Sequence, residues 1–66
     1  MRIIIGTEDG YVRIIGPGFT IYVNSLTSFD GIMIALNVTH VSFDESLHDN
    51  GLFKKMITDR LNVAFV

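Results

Sequence analysis

Residues 3–23 read IIIGTEDGYVRIIGPGFTIYV, three runs of β-forming residues separated by two short turn signals. The first signal, Asp9-Gly10, is a preferred pair for a two-residue hairpin loop, and Pro17-Gly18 suits the two central positions of a type II turn. Each turn fixes the register of the strands that it joins, and the two registers agree. The stretch therefore predicts a three-stranded antiparallel meander.

The predicted registers set Ile5 opposite Ile14, and Ile14 opposite Ile21. A three-residue first loop would place Ile5 against Arg13, and we reject it for that reason. Because side chains alternate along a strand, one face of the meander collects a continuous apolar set, which is the predicted core. Its members are Ile3, Ile5, Val12, Ile14, Phe19, Ile21 and Val23.

The opposite face of the meander carries Tyr, Arg and Ile, which are residue types enriched where proteins bind one another. The same registers set Arg13 opposite Tyr22 and Ile4 opposite Ile15. Two interpretations stay open, because these side chains either bind a partner or pack beneath residues 24–31 or a later strand. The predicted partner-binding residues are Ile4, Tyr11, Arg13, Ile15 and Tyr22.

The middle of the chain predicts a long fourth strand. Leu26 and Phe29 belong to one helical turn or to a loop with two anchors, and Asp30-Gly31 repeats the turn signal. From residue 32 the apolar positions alternate, and the alternation changes phase near His40. A change of phase indicates a bulge or a bend, so we expect this strand to bend there.

A C-terminal helix is predicted to begin near Asn50, since Gly51 weakens any helix that starts earlier and acidic residues precede basic ones. Its apolar face carries residues 53, 56, 57 and 61. Arg60 lies near the centre of that face, where its stem covers apolar surface or its guanidinium meets a carboxylate or an anionic ligand. The apolar residues 63–66 predict a short fifth strand.

Together these elements predict a single α+β domain over residues 1–66. The expected architecture is a small antiparallel sheet, made of the meander, the long bent fourth strand and a short C-terminal fifth strand, packed against one C-terminal helix. That helix is expected to cover the face that bears Ile5, Ile14 and Ile21.

Composition excludes several classes of function. The chain has no Cys, and its five Lys and Arg residues against seven Asp and Glu residues leave a formal net charge of −2. A nucleic-acid partner is disfavoured because such proteins gather basic residues into a patch. No run approaches the roughly 20 apolar residues of a membrane span, and no signal-peptide pattern follows Met1. We therefore expect a cytoplasmic protein with no membrane partner.

Residues for catalysis are sparse. Ser46 and His48 lie close in sequence but lack a third group that would orient them. Glu45 and His48 have a spacing found in metal-binding helices, yet one such pair supplies too few convergent ligands for a metal site. Residues 6–10 lack the Lys and Ser or Thr of a phosphate-binding loop. We expect no enzymatic activity, no cofactor and no metal.

The hydrophobic fraction, 48% of 66 residues, is large for a chain with so little interior, which predicts that a partner or a second copy covers the surplus. The expected function is a non-enzymatic protein-binding module, a small inhibitor or adaptor that acts by occupying a surface, of a kind common in phage genomes. The alternative is a homo-oligomer that binds a nucleotide or metabolite between subunits, through Tyr11, Tyr22 and Arg13 or Arg60.

Overall fold

The computed structural model describes residues 1–66 and contains a five-stranded mixed sheet with two helices. The elements are β1 (Arg2–Glu8), β2 (Tyr11–Gly16), β3 (Phe19–Val23), α1 (Leu26–Ala35), β4 (His40–Phe43), α2 (Gly51–Arg60) and β5 (Ala64–Phe65). The strand order is β3-β2-β1-β4-β5, in which β4 runs parallel to both β1 and β5. The α+β class is confirmed, but the predicted all-antiparallel sheet and single helix are wrong.

The meander has the predicted registers. Ile5 pairs with Ile14, and the β2–β3 pairing continues to the last residues before the second turn. At the first turn Asp9 and Gly10 have φ of 53° and 83°, and positive φ at both positions is the requirement of a type I′ loop. Gly18 also has φ of 83°, as the third position of a type II turn demands. The turn residues thus determine which side chains share a face.

Residues 26–35 form helix α1, although the first part of the predicted long strand overlaps them. The helix begins after Ser25, whose side-chain oxygen accepts a hydrogen bond from the N–H of Ser28 at 3.1 Å. Its apolar positions 26, 29, 33 and 36 follow helical spacing, and Phe29 and Met33 are buried. The long bent strand was a wrong prediction, because a short apolar run does not distinguish a buried strand from a buried helix.

Helix α1 ends in a Schellman motif, which accounts for the change of phase in the sequence. Asn37 has φ of 52° and donates its N–H to the carbonyl of Ile34 at 3.1 Å, while the N–H of Val38 donates to the carbonyl of Met33 at 3.4 Å. The chain leaves the helix at this point and enters β4. The change of phase therefore marks the end of a helix, and β4 has only four residues.

Helix α2 begins after Asn50, as predicted, and the Asn50 side chain accepts a hydrogen bond from the N–H of Phe53 at 3.2 Å. Ile57 is the one fully buried residue of its predicted apolar face, whereas Met56 stays 40% exposed. After α2 the chain returns to the sheet as β5, which is the predicted short fifth strand. Neither α1 nor α2 has the length and apolar character needed to cross a membrane.

The hydrophobic core lies between one face of the sheet and the two helices. The predicted apolar face of the meander supplies Ile3, Ile5, Val12, Ile14 and Val23, and the helical side supplies Phe29, Met33, Leu47 and Ile57. Residues 24 and 25 lead into α1, and residues 26–31 form its first part on the helical side of the sheet. The interpretation in which they cover the other face is therefore wrong, and no helix lies over that face.

Candidate functional site

The sheet face opposite the helices, called the uncovered face below, brings all five predicted partner-binding residues together. The alternation of side chains assigns residues to it strand by strand. Its members are Arg2, Ile4, Gly6 and Glu8 of β1, Tyr11, Arg13 and Ile15 of β2, Thr20 and Tyr22 of β3, His40 and Ser42 of β4, and Asp44 directly after β4. The predicted pairs Arg13–Tyr22 and Ile4–Ile15 are both present.

Large hydrophobic side chains remain accessible on this face. Ile4 is 41% exposed, Tyr11 45% and Tyr22 50%, although all three belong to strands of the sheet. Met1 and Val66, which are also exposed, line a groove beside Ile4. These residues make up five of the eight large hydrophobic side chains that the fold leaves exposed. Such a concentration on one side of a small protein is typical of an interaction surface.

The groove, with a volume of about 730 Å³, crosses one end of the uncovered face. Ile4, Ile15 and Pro17 supply apolar lining, while Arg2 and His40 supply basic groups. No Asp or Glu lines it. Arg2 is exposed and takes part in none of the five ion pairs of the fold, so this end of the face carries an available positive charge.

The other end of the face holds a polar network centred on Arg13. Arg13 Nη1 donates to Oε1 of Glu8 at 2.9 Å, and Arg13 Nη2 donates to Oδ2 of Asp44 at 2.6 Å. The hydroxyl of Tyr22 donates to the same Glu8 oxygen at 3.0 Å. The Arg13 side chain is only 24% exposed, and it reaches from β2 to Glu8 on β1 and to Asp44 beyond β4. This network fixes the positions of Arg13 and Tyr22.

Ser46 extends the network to the loop after β4. Its backbone N–H donates to Oδ1 of Asp44 at 2.9 Å, its hydroxyl also donates to Asp44, and that hydroxyl accepts a hydrogen bond from the N–H of Thr7 at 2.8 Å. His48 does not join it, since its nearest charged partner is Asp49 at 3.9 Å. Ser46 and His48 are therefore not brought together, and Ser46 secures the loop to β1.

The network shifts the ionisation of its members in consistent directions. Hydrogen bonds from Tyr22 and Arg13 hold the pKa of Glu8 below its ordinary value, and the bond to Glu8 raises the pKa of Tyr22. Burial acts to raise the pKa of Asp44, but the hydrogen bonds from Ser46 and Arg13 outweigh it, and the net shift is downward. Bonds to Asp44 and Glu8 raise the pKa of Arg13. At neutral pH the network therefore favours the charged forms of Glu8, Asp44 and Arg13 and the neutral phenol of Tyr22, which can donate its hydrogen bond.

Arg60, the predicted anion contact, lies on the helical side of the molecule. Its Nε donates to Oδ1 of Asp30 at 3.0 Å, and its Nη2 contacts Oδ2, which makes a two-point ion pair between α2 and α1. The bond to Arg60 lowers the pKa of Asp30. Of the alternatives that the sequence left open, a carboxylate partner is the one that the structure contains.

No group of three or more His, Asp or Glu side chains is arranged to hold a metal ion. In comparisons with known proteins, the chain matches no family model, no curated protein and no solved structure.

Sequence reasoning missed Glu8 and Asp44 as parts of the uncovered face, and Ser46 as a partner of Asp44. Asp44 enters it only because β4 pairs with β1, and that pairing joins residues far apart in the chain. One local signal was present at Gly6, since a glycine inside a strand often marks the close approach of another group. A Cβ at Gly6 would overlap the carboxylate of Asp44.

Proposed function

We propose that the protein is a non-enzymatic binding module, a small inhibitor or adaptor that associates with another protein through the uncovered face. The observation that carries this proposal is the distribution of apolar side chains. Two helices lie over one face of the sheet, while Ile4, Tyr11 and Tyr22 remain 41 to 50% exposed on the other. Aromatic and Ile side chains on a rigid sheet make favourable anchors for a partner.

Another explanation for the exposed apolar residues is that so short a chain cannot bury its surface fully, and the size of the molecular surface argues against it. The accessible surface of the protein is 4174 Å², and the scaling law for folded monomers gives about 4200 Å² for a mass of 7.4 kDa. The total surface is therefore ordinary for the size of the chain. What needs a functional explanation is the collection of apolar residues on one side.

Preorganisation of the face also favours a binding role. Tyr22 donates to Glu8, which in turn is bound by Arg13, so an aromatic side chain that is half exposed is held in one orientation. Fixing such a side chain before association reduces the conformational entropy lost on binding. A side chain whose only role is to keep the surface soluble does not require hydrogen bonds that fix its orientation.

The alternative, a homo-oligomer with a nucleotide or metabolite between subunits, has less support. It relied on Arg13 or Arg60 to contact an anion, and both guanidinium groups are bound to carboxylates of the chain. Arg2 beside the groove is the cation that such a ligand could still use. Mass spectrometry of the purified native protein tests for a retained small molecule.

Affinity capture with matched baits tests the proposed function. The baits are the wild type, Ile4→Thr on the uncovered face and Leu52→Thr on α2, where Leu52 is 81% exposed. Thr keeps the β-branched shape of Ile4 and removes apolar surface. We expect the wild type and Leu52→Thr to retain a shared partner that Ile4→Thr loses, with all three baits folded by circular dichroism. Recovery of the same proteins on all three baits, or of none, contradicts the proposal.

A further inference from the structure

The uncovered face is polarised in charge along the direction of its strands. At the end where β1 begins, Arg2 and His40 lie beside the groove and no acidic side chain lines it. At the end where β1 finishes, Glu8 and Asp44 bind a single cation, Arg13, and Asp9 follows in the turn to β2, so three carboxylates against one guanidinium leave a net charge of −2. Between the two ends lie Ile4 and Ile15, the apolar part of the face.

We propose that a second copy of this chain occupies the uncovered face, in a two-fold symmetric dimer with the two sheets packed face to face and the strands of the two copies antiparallel. The dimer rests on the proposed function, since it assigns an occupant to the same surface. Another protein partner then competes with the second copy for that surface.

Charge complementarity selects the orientation. A two-fold axis that relates two packed faces lies in the plane between them. An axis along the strands would place the Arg2 ends of both copies together, which is repulsive. An axis perpendicular to the strands places the Arg2 end of one copy over the acidic end of the other, and Arg2 then lies near Glu8 of the partner subunit. Opposed charges of this kind fix orientation and register at interfaces.

The same axis gives a suitable apolar contact. An axis that brings Arg2 over Glu8 of the partner subunit crosses β1 midway between these residues. It therefore passes between two rows of paired residues that run across the sheet, one through Ile4 and one through Gly6. Ile15 shares the first row and Arg13 shares the second. Ile15 therefore lies over the aliphatic stem of Arg13 of the partner subunit, while the head of that side chain stays bound to its own carboxylates. The apolar side chains of this part of the face are thus covered, and the ion pairs of Arg13 stay intact.

The available area is sufficient for a stable dimer. The molecule measures 27 × 22 × 22 Å, so one of its sides presents about a sixth of the 4174 Å² surface, or about 700 Å² per copy. The two copies together would bury about 1,400 Å², within the range of about 1,200–2,000 Å² for specific interfaces. The apolar patch need not extend over all of it, since the rim of an interface is commonly polar.

Sedimentation equilibrium of charge-reversed variants tests the orientation. Arg2→Glu is compared with Lys54→Glu, which makes the same change of charge on α2. The Arg2–Glu8 contact occurs twice in a symmetric dimer, so we expect Arg2→Glu to raise the dissociation constant at least about tenfold. Lys54→Glu is expected to leave it unchanged. A wild type that stays at 7.4 kDa across the concentration range, or equal effects of the two reversals, overturns the proposal.

Mixing reversed variants tests the opposed ends directly. Glu8→Lys alone should also weaken self-association, and an equimolar mixture of Arg2→Glu and Glu8→Lys should restore dimers, because each copy then offers what the other needs. Circular dichroism establishes that both variants fold, and Asp9→Lys replaces Glu8→Lys if the latter does not. Dimers of each variant alone that are as stable as those of the mixture overturn the predicted orientation.

These outcomes separate the dimer from the proposed function. A monomeric wild type whose captured partner is lost in Ile4→Thr ends the dimer proposal and leaves the proposed function in place. A dimer that the charge reversals disrupt, in a protein whose baits recover no partner, ends the proposed function and leaves the dimer in place.

Discussion

Arg13 on β2 and Asp44 beyond β4 are in direct contact across β1, with Arg13 Nη2 2.6 Å from Asp44 Oδ2, although their strands are not neighbours. Gly6 makes this possible. It lies between them on β1 and pairs with Arg13, and its missing side chain leaves the space that the Asp44 carboxylate occupies. The contact fastens the loop after β4 to the meander and orders the acidic end of the uncovered face.

Substitution of Gly6 tests this arrangement. In Gly6→Ala the new methyl group overlaps the Asp44 carboxylate, so that side chain must move from the position in which it binds Arg13. We expect the free energy of unfolding, measured by urea denaturation, to fall by about 1–3 kcal/mol. Gly31→Ala is the control, since that glycine lies in α1 with open space around it and alanine favours a helix. Equal stability of Gly6→Ala and the wild type contradicts the arrangement.

The turn glycines are needed for their backbone conformation. Gly10 and Gly18 both have φ of 83°, and a Cβ at either position would have no neighbouring atom within 4 Å, so any penalty of substitution comes from the backbone. Gly10→Val and Gly18→Val should each lower the free energy of unfolding by at least about 1 kcal/mol. Asp9→Gly should leave the free energy of unfolding unchanged, because Asp9 also has positive φ and glycine adopts that conformation readily. Unchanged denaturation midpoints in both Val variants would mean that the turns are assigned wrongly.

Acid should destabilise the protein through Asp44. Its folded pKa lies below the ordinary value of 3.8, so its contribution is fully present above the unfolded pKa and is lost as pH falls through the lower folded value. The free energy of unfolding should therefore begin to fall below about pH 5 and keep falling through 3.8 to the lower folded pKa, and Asp44→Asn should show a smaller fall. Asp49→Asn, which removes a carboxylate that makes no hydrogen bond, should keep the full wild-type fall. Equal falls in the two variants would show that Asp44 is not responsible.

The exposed tyrosines should matter for association more than for folding. Tyr11→Ala and Tyr22→Ala are each expected to weaken self-association or partner binding by about 2 kcal/mol or more, because buried aromatic side chains dominate interface energies. Calorimetric dilution or titration measures the effect, with Leu52→Ala as an exposed control. Thermal unfolding of the tyrosine variants should remain cooperative. If they unfold the protein instead, the two tyrosines belong to its core.

Arg13 has a different role from the two tyrosines. Its guanidinium is bound to Glu8 and Asp44, while its Nε is buried without a hydrogen-bond partner. Arg13→Ala should therefore reduce stability as well as association, since two carboxylates lose their cation. Arg13→Lys restores the charge without the two-point geometry, and we expect it to recover only part of the stability. A full recovery would mean that charge alone explains the role of Arg13.

The sequence predicted the meander correctly because its turns impose specific backbone angles. Asp9-Gly10 and Pro17-Gly18 fix two registers, and those registers determine the two faces of three strands. The five predicted partner-binding residues share a face for this reason. Local residue chemistry was sufficient here, since each pairing joins residues close in the chain.

The order of the remaining strands depended on contacts that local patterns do not reveal. Residues 32–38 alternate in a way that suits a strand, and the signals for a helix were the Ser25 cap and Asn37 at its end. The parallel pairing of β4 with β1 joins residues that are more than 30 positions apart, such as Ile3 and Val41. It brings Asp44 to Arg13, so the polar half of the candidate site could not be predicted before that pairing was known.

Methyl NMR of isoleucine-labelled protein tests most directly whether the uncovered face is the surface through which the protein associates. Ile4 and Ile15 report on that face, and Ile34, 81% exposed on α1, reports on the helical side. We predict that the methyl signals of Ile4 and Ile15 shift or broaden as the protein is concentrated or titrated with its captured partner, while those of Ile34 stay constant. Shifts at Ile34 without shifts at Ile4 and Ile15, or no change at any of the three isoleucines under both conditions, would contradict the proposed surface.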